Sequence, residues 1–181
     1  MNLKTGAFDL TRTEPKPDEE TVYVRRGKKL SAEEEERIFS RALAFTAFMP
    51  CMQSHGYVRN VYDFGEATQR QYVEAVAKRE ELVPYINKSV RMAAAQGVPV
   101  VCPLVLKWQD DPNTYSIADE FMLGDEILVA PALGPDETRE VYLPQGLWKE
   151  VFSGRIHHVD CGGMKIRISV PIGKVPVFRL L

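Results

Sequence analysis

Hydrophobic positions follow a helical spacing in the first half of the chain and a strand spacing in the second. Ser31 with Glu34 three residues later is a capping box, which predicts a helix beginning at Ser31. Pro50 ends this helix at the latest, although residues 45–53 are also compatible with a short buried strand. The apolar residues that share one face of the helix are Ile38, Ala42, Phe45 and Met49.

A longer helical pattern runs from about Glu66 to Gln96. Pro84 lies inside it and is expected to kink the helix or to split it in two. Gly97 is a favourable residue for the C-terminal cap, and the proline two residues later prevents continuation. The residues predicted to share a face are Tyr72, Val76, Val83, Ile86 and Val90.

After Gly97 the spacing changes to that of strands. The predicted strands lie within residues 100–106, 127–130, 140–143, 165–170 and 175–180. Helices therefore come first and strands follow, which indicates an α+β chain made of two architectural pieces instead of a βαβ series.

Size and charge limit the classes of protein that the chain can form. With 181 residues it cannot contain a whole (β/α)8 barrel, which needs about 250. A net charge of −2, from 23 basic and 25 acidic residues, gives no reason to expect a nucleic-acid or anionic-membrane partner. No apolar run reaches membrane-spanning length, and the N-terminus lacks the apolar core of a secretory signal.

The sequence contains no clear motif for a metal site, a cofactor site or a catalytic nucleophile. His157 and His158 are adjacent on a predicted strand, so they point to opposite faces and cannot easily bind one ion. No glycine-rich phosphate loop or G-x-S-x-G motif occurs, and no cofactor is expected. The three widely spaced cysteines match no metal or disulfide pattern, and we expect all of them to be buried free thiols.

Carboxylates and one histidine are the remaining candidates for chemistry. A glycosidase needs two carboxyl groups about 5 to 9 Å apart across one bond. Most of the acidic residues in the second half lie in turn-forming sequence, where structural roles are expected. His55 follows the predicted strand of residues 47–54, and the carboxyl end of a barrel strand is where active-site side chains lie. A loop histidine bonded to backbone is the alternative. The acidic residues considered are Asp63, Asp110, Asp111, Asp119, Glu120, Asp125 and Glu126.

A series of short motifs resembles glycoside hydrolase family 31, which includes α-glucosidases and α-xylosidases. Residues 38–41 (IFSR) and 47–50 (AFMP) are similar to the family's L-Y-x-R-W…G-A-F-x-P. Residues 82–86 (LVPYI) resemble L-L-P-Y-L, and 99–104 (PVVCPL) resemble P-V-x-R-P-L. The later motifs follow in family order: 110–115 (DDPNTY), 119–124 (DEFMLG), 128–131 (LVAP) and 142–148 (YLPQGLW). Residues 47–53 resemble in particular the myogenesis-regulating glycosidase branch.

The resemblance implies that residues 1–97 are the C-terminal part of a (β/α)8 barrel, with its last helices and strand, and that residues 98–181 are an antiparallel β-sandwich. Residues 1–30 are expected to be a loop or insertion. His55 falls on the histidine of the family's R-x-H motif, which binds sugar, and Gln53 replaces its arginine. Cys102 replaces the arginine of P-V-x-R-P-L. Gln53 can still bond a hydroxyl but carries no charge.

The family's nucleophile and acid/base aspartates have no counterpart here, so no residue of this chain is assigned as catalytic. The resemblance implies a segment of a retaining α-glycosidase that hydrolyses terminal O-glycosidic bonds of carbohydrate substrates. We expect the chain alone to be inactive. The alternatives are a non-catalytic carbohydrate-binding or protein-interaction homologue, and an unrelated α+β domain. Complete relatives usually reach the secretory pathway, lysosome or cell surface, so the compartment stays open.

Overall fold

The computed structural model describes residues 31–53, 60–132 and 136–181, together with the backbone of residues 24–25 and 28–29. Those four residues form a small antiparallel pair, β1 (Val24–Arg25) and β2 (Lys28–Lys29). Helices then precede strands along the chain, as predicted.

Helix α1 spans Ala32–Thr46 and begins at the predicted capping box. Ser31 Oγ accepts the Glu34 N–H at 3.2 Å, and the Glu34 carboxylate accepts the Ser31 N–H at 2.9 Å. The residues predicted to share one face are not those that the fold buries. Ile38 is 41% exposed, and the residues that are buried in α1 are Ser40, Arg41, Leu43 and Ala44.

Helix α2 spans Glu66–Gln96 and is continuous through Pro84. Gly97 ends it with a left-handed φ of +71°, and its N–H bonds to the Ala93 carbonyl at 2.8 Å. Val83 and Val90, which the spacing placed on one face with Ile86, are 41% and 44% exposed. The residues buried in this helix are Thr68, Ala75, Ile86 and Ser89.

The two helices run in the same direction. Glu36, near the start of α1, accepts the N–H of Gly65 and the hydroxyl of Thr68, at the start of α2. Arg79, farther along α2, bonds the carbonyls of Met49 and Pro50, just beyond the end of α1. Because contacts advance together along both helices, the connection between them must return the chain across one helix length.

The second half of the chain is an antiparallel β-structure. Among the described residues, the strands form a six-stranded sheet in the order β3-β4-β5-β10-β7-β8 and a two-stranded ribbon, β6-β9. The strands are β3 (Val101–Pro103), β4 (Phe121–Leu123), β5 (Ile127–Val129), β6 (Thr138–Leu143), β7 (Gly146–Glu150), β8 (Ile156–Val159), β9 (Met164–Ser169) and β10 (Val177–Leu180).

Side chains on opposite faces of the six-stranded sheet enter two different cores. Met122, Leu128 and Phe178 stand opposite one another across β4, β5 and β10, and all three are fully buried against the ribbon. Leu123, Ile127 and Val129 alternate with them along the same strands and pack against α1 and α2. The order of layers is therefore helices, sheet and ribbon, and the antiparallel β-domain is confirmed.

Two local expectations are wrong. Residues 47–51 form turns and bends and 52–53 are irregular, so the described part of 47–54 contains no strand. Phe48 and Met49 instead bond back to the carbonyls of Phe45 and Thr46. Cys102 is a buried free thiol, but Cys51 and Cys161 are exposed because they lie in turns.

Candidate functional site

The segment that follows α1 carries Gln53, the one sugar-binding candidate among the described residues. Gln53 is exposed, and Met52 before it packs into the core between helices and sheet. His55 lies outside the described residues, so its role as a sugar-binding residue stays a prediction.

Arg79 of α2 fixes the start of this segment. Its guanidinium donates to the carbonyl oxygens of Met49 and Pro50, the latter at 2.5 Å. Two donors from one planar group define the direction of two successive peptide units. The chain therefore leaves α1 along a path set by a residue about thirty positions away, which sequence patterns did not reveal.

A second set of polar contacts joins the beginnings of the two helices. The Thr68 hydroxyl donates to Glu36 at 2.6 Å and lies 3.2 Å from the Ser40 hydroxyl, with Thr68 and Ser40 both buried. Phe39 and Phe64 stack beside them with ring centroids 4.5 Å apart. The helix pair is therefore held at both ends of the connection that carries Gln53.

The acidic residues of the β-domain have structural partners. Asp111 accepts the Asn113 N–H at 3.1 Å and caps a short 3-10 helix, as its turn sequence predicts. Asp125 pairs with Lys107, and Asp119 pairs with Arg139 at 3.1 Å. Their expected structural roles are therefore supported by the contacts that they make.

Glu120 is the most perturbed of the acidic groups. It is 6% exposed, lies directly before β4, and accepts the Tyr142 N–H from β6 at 2.9 Å. Burial raises the pKa of Glu120 to about 7, although the Tyr142 N–H and the nearby Arg139 oppose that rise. The only sequence signal for this buried carboxylate is its position immediately before an apolar strand. An exposed residue at the end of a strand would give the same signal.

Tyr142, whose N–H bonds Glu120, also contacts two turns through its hydroxyl group. Its hydroxyl donates to the Asp111 carboxylate and lies 3.0 Å from the Gly162 carbonyl. Burial, followed by the bond to Asp111, raises the pKa of Tyr142 to about 12. Gly163 has a φ of +70°, and a side chain there would collide with the tyrosine ring. The absence of a side chain at Gly163 therefore makes room for Tyr142.

Metal and membrane sites are not found in the described part of the chain. No cluster of three or more His, Cys, Asp or Glu side chains that could hold a metal occurs among those residues. His157 packs edge-on against Phe178 while His158 is exposed, so the two point apart as predicted. None of the helices described is long and apolar enough to cross a membrane.

A cleft of about 630 Å³ lies where α2 ends and β3 begins. Met92, Val100, Leu106 and Trp108 are among its lining residues. Met92 is 13 residues beyond Arg79 on α2, which corresponds to roughly 20 Å along a helix axis. The cleft is therefore separate from the segment that carries Gln53.

The layered β-domain and its motif series correspond to a known protein class. Residues 97–179 match the glycosyl hydrolase family 31 C-terminal domain. Residues 97–179 therefore correspond to this family domain, in agreement with the resemblance of their motifs.

Individual relatives are glycosidases with different named substrates. A sulfoquinovosidase of Escherichia coli (strain K12) is 33% identical over 141 residues, covering 74% of this chain and 20% of the relative. Alpha-glucosidase 2 of Bacillus thermoamyloliquefaciens is 32% identical over 146 residues, covering 78% and 18%. The chain thus spans about a fifth of the length of these relatives.

Solved structures extend the match beyond the β-domain. A family 31 sulfoquinovosidase from E. rectale superposes with a TM-score of 0.75 at 27% identity and covers 87% of this chain and 23% of its own. The family model spans fewer than half of the residues, so a match of this extent includes much of the helical part. The helices and the β-domain are therefore similar to family 31 structures as one unit.

Proposed function

We propose that this chain is the C-terminal segment of a retaining α-glycosidase of family 31. Residues 31–97 would supply the last helices of its (β/α)8 barrel, and residues 98–181 the β-sandwich that braces the barrel. The observation that carries the proposal is the parallel pair α1 and α2, whose connection must cross one helix length. Successive helices of a (β/α)8 barrel run in the same direction because a strand returns the chain between them.

Exposed apolar residues on α2 support the same assignment. Val83 and Val90 are seven residues apart, so they lie nearly above each other on one flank of the helix. That flank belongs to the half of α2 that α1 does not reach, since α1 ends near Arg79. In a complete barrel, neighbouring elements would cover these side chains.

Gln53 and His55 would bind hydroxyl groups of the sugar. Gln53 is exposed just beyond the point where Arg79 fixes the chain, and its amide can both donate and accept hydrogen bonds. Chemistry would require two aspartates from barrel strands that have no counterpart here. One would attack the anomeric carbon, and the other would protonate the leaving oxygen and then activate water.

The isolated 181-residue chain should therefore hydrolyse no α-glycoside. A panel of chromogenic α-glucosides, α-xylosides, α-galactosides and α-sulfoquinovosides tests this expectation. Turnover that disappears when Asp110 or Asp119 is changed to Asn would contradict the assignment, because it would place a catalytic carboxylate within the chain.

The coding sequence upstream of residue 1 provides the second test. Two barrel-strand aspartates encoded there would support the glycosidase, and the longer polypeptide should then be active. In it, His55→Ala and Gln53→Ala should each lower kcat/KM about tenfold, the effect of one lost hydrogen bond. His158→Ala, an exposed histidine on β8, is the matched control and should change nothing.

The choice among substrates depends on the same segment. The sequence of residues 47–53 favours the myogenesis-regulating glycosidase branch, whereas the named relatives include α-glucosidases and sulfoquinovosidases. Gln53 and Cys102, which replace family arginines, favour a non-catalytic carbohydrate-binding or protein-interaction homologue as the second candidate. Absence of the two upstream aspartates would support that candidate.

A further inference from the structure

The place where β6 of the ribbon meets the six-stranded sheet contains a small group of buried charges. Arg139, on β6, is shared between two carboxylates that precede β4. Its Nη2 lies 3.1 Å from Asp119 Oδ2 and 3.5 Å from Glu120 Oε1. The side chains of Arg139 and Glu120 are 9% and 4% exposed, whereas that of Asp119 is 54% exposed. Two carboxylates therefore face a single guanidinium.

The charge balance of this cluster depends on one proton. With both carboxylates ionised, two negative charges face one guanidinium, and the charge on Glu120 lies in a site that water hardly reaches, which is costly. With one proton bound, the cluster is neutral. Asp119 is exposed and lies closer to the guanidinium, so Glu120 is the group that holds the proton.

One carboxylate oxygen of Glu120 accepts no hydrogen bond from the described residues, so it is available to carry that proton. Oε1 accepts the Tyr142 N–H at 2.9 Å and faces Arg139. Oε2 is buried and has no hydrogen-bond partner among the described residues. Arg139 is occupied by the carbonyls of Pro131 and Asp119, so it is not free to turn fully towards Glu120.

We propose that Glu120 is a proton-dependent catch between the sheet and the ribbon, which holds the β6-β9 ribbon in place while protonated and loosens it when ionised. The catch links the two layers directly, because Glu120 precedes β4 in the sheet while Tyr142 and Arg139 belong to β6 in the ribbon. The charged side chains that act on Glu120 are Arg139 from the ribbon and Asp119 beside it. The pair of Glu140 with Lys165 is also on the ribbon, but both side chains are more than half exposed.

The direction of the pH effect follows from the folded-state pKa. Glu120 has a pKa of about 7 when buried and an ordinary value near 4.5 when the ribbon opens. Stability from the bound proton is therefore complete below about pH 4.5 and is lost as the pH rises through 7. The equilibrium for ribbon opening should rise about tenfold between pH 6 and pH 8.

Amide hydrogen exchange of the 181-residue chain, corrected for intrinsic rates, measures this opening. Protection of the Tyr142 amide, which bonds Glu120 Oε1 across the two layers, should fall about tenfold from pH 6 to pH 8 in the unmodified protein. Glu120→Gln keeps an acceptor and a donor without a charge, so its protection should not change with pH. Glu126→Gln, a carboxylate paired at the sheet surface, should keep the tenfold fall.

Two results would overturn the proposal. One is a pH-dependent fall that persists in Glu120→Gln, and the other is constant protection in the unmodified protein. If the variant does not fold, direct ¹³C NMR titration of the Glu120 carboxyl decides the question. A midpoint near 7 supports the catch, and a midpoint near 4.5 refutes it.

Discussion

The two faces of the six-stranded sheet are packed in different ways. On the ribbon side, large side chains such as Met122, Trp148 and Phe178 are fully buried and fill the space between two sheets. On the helix side, the buried residues of the helices include the small Ala44 and Ala75. Small side chains let helices approach a sheet closely, whereas two sheets stand about 10 Å apart and need bulky side chains between them.

The two faces of the sheet also differ in the polar contacts that they make. On the helix side, side chains from the helices bond to backbone of the β-domain. Tyr85 donates to the Leu123 carbonyl at 2.8 Å and accepts the Glu126 N–H at 3.0 Å, and Arg41 donates to the Ala132 carbonyl at 3.2 Å. On the ribbon side, the link is the buried group around Glu120. Side chains bond to backbone on both faces, and the ribbon side differs by its large buried side chains and by the buried Glu120 and Arg139.

Two neighbouring residues of β5 give the most direct comparison of the cores. Leu128 and Val129 are both fully buried, but Leu128 faces the ribbon and Val129 faces the helices. Leu128→Ala should lower the free energy of unfolding by about 2 to 5 kcal/mol, and Val129→Ala by about 1 to 3 kcal/mol. Chemical denaturation followed by circular dichroism measures both. Because Val129→Ala removes one carbon atom fewer than Leu128→Ala, equal losses would mean that the helix side is more sensitive to lost volume than the ribbon side.

The close approach of helix and sheet can be tested at Gly124. It has a φ of +60°, and an added Cβ would lie 2.3 Å from Ser89 Oγ and 2.6 Å from Tyr85 Oη. Gly124→Ala should cost about 2 to 4 kcal/mol, from backbone strain together with steric overlap.

The matched control is Gly154→Ala, since Gly154 has a φ of +72° with nothing within 4 Å of the added Cβ. It should show only the strain, about 1 kcal/mol. If the two variants lose the same stability, the steric contact at Gly124 contributes nothing.

Glu126 should show a pH dependence opposite to that of Glu120. Its carboxylate lies 2.8 Å from Arg179 and 3.5 Å from Lys88, and the bond to Arg179 lowers the pKa of Glu126 below its usual range. A lowered folded pKa contributes stability above the unfolded value, and this stability is lost as the pH falls. Glu126→Gln should therefore lower stability by less than about 1 kcal/mol at pH 7. Thermal unfolding should show no difference near pH 2, and an effect that grows towards acid pH would contradict the assignment.

Local sequence signals predicted the elements well and the buried surfaces less well. The helix start predicted at Ser31 and the helix end predicted at Gly97 are both confirmed. A helix end is determined by hydrogen bonds and φ values within a few residues, so local sequence is enough to predict it. Ile38 and Val83, which the spacing placed on the apolar faces of the helices, are exposed. The spacing of apolar residues shows which of them share a helix face. It does not show which face packs against a neighbouring element, because that depends on where the other elements lie.

Some features of the candidate site were predicted from the sequence and others were not. Motif order identified the family domain, and turn composition identified structural roles for Asp111 and Asp125. Arg79 and Glu120 were not recognised as important. Arg79 bonds residues about thirty positions away and Glu120 bonds one 22 positions away, so neither pattern is visible in a local window.

The sequence by itself determined where helices begin and end, the change from helices to antiparallel strands, and the family of the β-domain. Each of these depends on short-range spacing, caps and turns, or on motif order. The tertiary structure decided the parallel direction of α1 and α2, the different packing on the two faces of the sheet, and which carboxylate is buried. These depend on contacts between distant segments, where burial and the distance between charges take their values only after the layers have packed.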